Sequence, residues 1–74
     1  MILDHLRQAE QHVAEGEAHI AKQERIIAQL EQDGHDTTAA EELLATLLES
    51  QALHEQGART WRAELEKLER DAPP

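Results

Sequence analysis

Aliphatic residues return every seventh position from Leu6: Leu6, Val13, Ile20 and Ile27 form one stripe. After the break Asp33-Gly34-His35-Asp36, a second stripe advances in alternating steps of four and three. It runs through Ala40, Leu44, Leu47, Gln51, His54, Ala58, Trp61, Leu65 and Leu68. A repeat averaging 3.5 residues keeps one seam of an α-helix turned toward a partner helix. The pattern therefore predicts an all-α fold: an antiparallel two-helix hairpin in a single domain, residues 1–74. Helix 1 is expected over about 3–32, the turn at 33–37 and helix 2 over about 38–70.

Side-chain size suggests how the two stripes meet. If the chain reverses at Gly34, residues whose numbers add to 70 or 71 face each other: Ile27 with Leu44, Gly16 with His54 and Val13 with Ala58. Ala9 then meets Trp61, Leu6 meets Leu65 and Ile2 meets Leu68. Small residues oppose large ones, as interdigitated packing requires. Leu6, Val13, Ile20, Ile27, Leu44, Leu47, Trp61 and Leu65 are expected to carry folding and assembly.

The ends of the helices carry their own signals. Gly34 accepts the left-handed conformation that closes helix 1. Thr38 with Glu41 reads as a capping box, with Asp36 or Thr37 as alternative caps. Pro73 and Pro74 cannot continue helix 2. Glu55 with Arg59 and Glu66 with Arg70 stand four apart, the spacing of an ion pair on an outer face. Gly16 and Gly57 interrupt the helices, each at a cost of about 1 kcal/mol against alanine. They read either as a close approach of the helices or as room for a ligand.

Composition changes the picture in one respect. A lone hairpin of 74 residues encloses no core, and chains this small depend on disulfides, metals or association. The absence of cysteine removes disulfides and thiolate chemistry. Leu3, Ile26, Leu43, Leu48 and Leu53 widen the apolar stripe beyond what one partner helix covers. A homodimer forming a four-helix bundle is the expected arrangement. The formal charge of −9 argues against nucleic acid and anionic membranes as partners. No apolar run approaches the ~20 residues of a membrane span. The N-terminal Met1-Ile2-Leu3-Asp4-His5 lacks the features of a secretory signal, so a cytoplasmic location is expected.

Five histidines supply the candidate chemistry. His5, His12 and His19 lie seven apart, each directly before a seam position, in a flank row continued by Ile26. Glu15 follows His12 by three and precedes His19 by four, so these side chains can converge. His54 enters from helix 2. Imidazole and carboxylate donors suit zinc or non-haem iron, which makes His12, Glu15, His19 and His54 a candidate metal site. The plainer alternative is that the rings pack over the seam edge as amphipathic fillers. A third reading needs no ligand: imidazole changes charge near pH 6.5, so the rows can make association pH-sensitive. Ser50 and Thr60 lie mid-helix without the sharp turn and oxyanion donors of a nucleophile site, and no catalytic residues are assigned.

Two resemblances bear on function. His54-Glu55 resembles the His-Glu pair in the dimerisation domain of sensor histidine kinases, and His12 with Gly16 the His and small residue of phosphotransfer domains. In those families the kinase His lies on the first helix with a Pro soon after, and a Lys follows the phosphotransfer His; this chain has Glu15 there. The second resemblance is broader. His12-Val13-Ala14-Glu15-Gly16 with His19-Ile20, Asp33-Gly34-His35-Asp36-Thr37, Leu43-Leu44-Ala45-Thr46-Leu47 and Leu53-His54 together resemble a group of small, uncharacterised alpha-proteobacterial helical-hairpin proteins. The likeness covers about residues 10 to 56, and Gly57-Ala58-Arg59-Thr60 departs from it. It implies the hairpin and no activity. The expected function is thus a non-enzymatic, self-associating interaction or regulatory module. Metal binding is the alternative.

Overall fold

The computed structural model describes residues 1–73. It is an antiparallel hairpin of two long helices, α1 (Ile2–Gln32) and α2 (Thr38–Asp71). The helix ends fall within a residue of the sequence expectation. Pro73 follows the end of α2, and Pro74 lies outside the described residues.

The turn is built as the sequence signals. Gly34 has φ 74°, a conformation that a Cβ would strain. Its N–H donates to the Glu31 carbonyl at 3.1 Å, and the His35 N–H to the Leu30 carbonyl at 2.9 Å. This pair of bonds is the Schellman closure, satisfying carbonyls that the ended helix leaves free. The start of α2 differs from the capping box. Asp36 Oδ1 accepts both the Thr38 N–H at 2.9 Å and the Thr38 hydroxyl at 2.7 Å. Thr38 donates its hydroxyl hydrogen to Asp36, and the cap position falls on Thr37, whose side chain makes no capping bond.

The seam carries little that is deeply buried. Leu6, Ile27, Ala58, Gln23 and Gln51 are buried, and no side chain among the described residues is wholly removed from solvent. Val13, Ile20, Leu44, Leu47, Trp61 and Leu65 are half-buried in the same stripe. Gln23 was not legible as a core residue from its chemistry, yet it continues the steps of seven through Ile2, Ala9 and Gly16. The molecule is a rod of 64 × 15 × 14 Å.

The register is a correction. Val13 and Ala58 share one groove, as do Ile27 and Leu44, as size matching suggested. Gly16, however, faces Gln51 and not His54. Trp61 stacks on His5. Leu68, matched by size to Ile2, is 53% exposed. On the histidine side of the seam facing residues follow 16 with 51 and 12 with 54, while on the opposite side 13 with 58 and 27 with 44 keep the size-matched pairing. Two polar contacts cross the seam. Gln51 Nε2 donates to the Val13 carbonyl at 2.8 Å, and Gln23 Nε2 donates to the Ala40 carbonyl at 2.9 Å. Each buried amide reaches a main-chain oxygen on the opposite helix, and leaving such a group unpaired costs about 1–3 kcal/mol, which favours the offset that pairs them.

The glycines separate accordingly. A Cβ on Gly16 would overlap the Gln51 carboxamide, whereas a Cβ on Gly57 would meet nothing within 4 Å. Only Gly16 marks a close approach. Among the described residues the ion pair is Glu10 with Arg62, at 3.8 Å across the helices. Glu55–Arg59 and Glu66–Arg70 do not close to ion-pair distance.

Candidate functional site: two flanks of one seam

The helix pair exposes a flank on either side of its seam, and the two differ in charge. One flank holds the residues that directly follow seam positions: Glu10, Glu17, Glu24 and Glu31 on α1, with Glu41, Glu55 and Glu69 on α2. Leu3 and Leu48 interrupt it, and Arg62 lies in these rows with Arg59 beside it on the groove. Glu10, Glu17, Glu55 and Arg62 line a groove of about 390 Å³ there.

The opposite flank carries the histidine row. Its groove, of about 240 Å³, is lined by His12, Glu15, His19, Ser50, Gln51 and His54. All four residues singled out from the sequence as metal donors are therefore on one groove. They do not form a closed donor set. The His12 and His54 rings stand 5.5 Å apart, centroid to centroid, tilted by 58°. Glu15 is turned along its own helix, accepting from Gln11 Nε2 at 3.1 Å. Among the described residues no three His, Asp or Glu side chains converge closely enough to hold a metal ion. The reason is the register: Gln51, not His54, occupies the level of Gly16, which leaves His54 facing His12 alone.

Two buried polar atoms near this groove lack hydrogen-bond partners, Gln51 Oε1 and His54 Nδ1. The first follows from the bond that Gln51 makes through its nitrogen. Further along the row, His5 stacks on Trp61 with ring centroids 4.6 Å apart and planes 14° from parallel. That stack covers the open end of the seam, where α2 runs on past the start of α1. His35 lies in the turn, apart from the row. Thr60 donates its hydroxyl to the Gln56 carbonyl at 3.0 Å, and Ser50 is exposed on the groove.

Away from the flanks, the Asp36 carboxyl is held below the ordinary carboxylate range. The Thr38 hydroxyl bond is the larger cause and the Thr38 N–H the second. Both favour the charged form.

No described helix is long and apolar enough to cross a membrane. Fold and flanks together define the class: an all-α antiparallel hairpin with one acidic and one less acidic side. No family model matches the chain, and no curated protein or solved structure matches it.

Proposed function

We propose that this chain is a non-enzymatic, self-associating helical hairpin that works as a cytoplasmic protein-interaction or regulatory module. The observation that carries the reading is surface. A compact folded chain of 8.4 kDa exposes roughly 4,600 Å², and this one exposes 5732 Å², an excess of about 1,100 Å². A standard protein interface covers about 800 Å² per partner. Leu43 and Leu53 stand in that exposed surface, as side chains do that belong under another helix. A charge of −9 disfavours nucleic acid and anionic lipid as the covering surface. Sedimentation equilibrium of the untagged protein tests the reading: a mass of two chains is expected at micromolar concentration. A single chain at all concentrations up to about 0.5 mM, weaker than any useful affinity on the usual scale, would sink it.

A second reading is supported by the gathering of His12, Glu15, His19 and His54 on one groove. It is zinc or iron binding, with Glu15 and His19 turning inward to join the His12–His54 pair. Metal analysis of protein purified without chelator decides it. Stoichiometric metal that disappears in His54→Ala supports the site, and folded protein free of metal removes it. Kinship with the alpha-proteobacterial hairpin group belongs to the same proposal and rests on the shared turn and histidine positions.

A further inference from the structure

We propose that the second copy docks on the histidine-bearing flank, across a two-fold axis near Ser50 and Leu53, and not on the acidic flank. The inference rests on the self-association reading and names its surface.

Charge decides between the flanks. A symmetric dimer places the same patch of both copies face to face. On the acidic flank that would bring Glu10, Glu17, Glu24, Glu31, Glu41 and Glu55 of one copy against the same set on the other, with Arg59 and Arg62 as the cations among them. Six like charges brought together and desolvated cost free energy that two arginines offset only in part. On the other flank, the α2 positions Leu43, Thr46, Ser50, Leu53, Gly57 and Thr60 follow one another in steps of three and four without a formal charge. The α1 side of this flank offers His5, His12, His19 and Ile26, and beyond them Glu15 and Lys22, whose charges cancel. For a chain of charge −9, this is the less acidic long face, its α2 carboxylates Glu42 and Glu49 standing at the outer edge.

Shape agrees. Ile26 on α1 and Leu43 on α2 are both exposed toward the turn end of the flank, and Leu53 is 69% exposed at its middle. Ser50, Gly57 and the two threonines are small, so a helix can approach closely between the larger residues. The uncharged stretch runs from Leu43 to Trp61. A two-fold axis at its middle brings the Leu43 end of one copy to the Trp61 end of the other, and leaves Ser50 and Leu53 beside their own counterparts.

Two matched leucines provide the test, since Leu43 and Leu48 are both 50% exposed and lie on opposite flanks. Leu43→Glu and Leu48→Glu each add one negative charge per chain. Sedimentation equilibrium should show Leu43→Glu weakening the dimer by at least about tenfold, while Leu48→Glu stays within about twofold of the wild type. Circular dichroism at high dilution checks that both remain helical. The lack of cysteine gives a second readout in which no residue of the apolar set is altered. Oxidised Ser50→Cys should run as a covalent dimer, and Glu55→Cys, on the acidic flank, should not. Preferential loss of the dimer in Leu48→Glu, or cross-linking through Glu55→Cys alone, overturns the assignment of the face and leaves self-association standing. A wild type that stays monomeric overturns both.

Discussion

At the scale of single residues, the contact between Gly16 and Gln51 sets the pairing of the helices. The amide of Gln51 fills the space that a side chain at residue 16 would take, while its nitrogen bonds the Val13 carbonyl. Gly16→Ala should therefore do two opposed things. It gains about 1 kcal/mol of helix propensity and displaces the amide from its acceptor, a loss of similar size. In a Gln51→Ala background only the gain remains. Urea unfolding of the four proteins should give a coupling energy of about 1–2 kcal/mol, and a value near zero would mean that the two residues do not face each other. Gly57→Ala, with open space around it within the hairpin, should stabilise the single chain by about 1 kcal/mol. The stack of His5 on Trp61 makes a companion prediction. His5→Ala should change the indole emission, because the ring that covers one face of it is removed.

At the scale of the helices, the start of α2 depends on Asp36. Its carboxylate accepts two bonds from Thr38, which holds its pKa below the ordinary range. A depressed folded-state value means that the stabilisation is complete above the unfolded pKa and disappears as the pH falls through the folded one. The loss belongs to strongly acidic solution, below the usual carboxylate range. Asp36→Ala should lower the thermal midpoint at neutral pH and abolish that acid-side component. Glu41→Ala should do less, because no capping box forms. A calorimetric pH series of the three proteins checks both statements. Equal effects of the two substitutions would favour the capping box after all.

At the scale of the whole molecule, exposed surface and charge dominate. No side chain among the described residues is wholly buried, so the stability of a single hairpin is small and is expected to grow with association. The thermal midpoint should rise with protein concentration by several degrees over about a hundredfold range, as linkage between folding and dimerisation requires. A midpoint independent of concentration would place all the stability in one chain. The acidic flank adds a salt effect. Raising ionic strength from about 0.01 M to 0.5 M shortens the Debye length from about 30 Å to a few ångströms, relieving repulsion among Glu10, Glu17, Glu55 and their neighbours. The midpoint should rise with salt accordingly.

Much of this was legible in the chain itself. Steps of three and four fix which face of each helix is apolar, and Gly34 with the short turn fixes that the helices run antiparallel. Those features are local: they depend on the period of the helix and on the conformations a backbone can take. The placement of His12, Glu15, His19 and His54 on one flank follows from the same period. What the period cannot supply is the longitudinal offset between two helices, because a shift of one turn returns the same apolar face with different partners. Hydrogen bonds from Gln23 and Gln51 to carbonyls across the seam favour the offset found. With that offset Gln51 rather than His54 lies on Gly16, and the histidines meet as a pair instead of a donor cluster. Sequence determined the faces; only packing in three dimensions determined the register, since register depends on contacts between residues far apart in the chain.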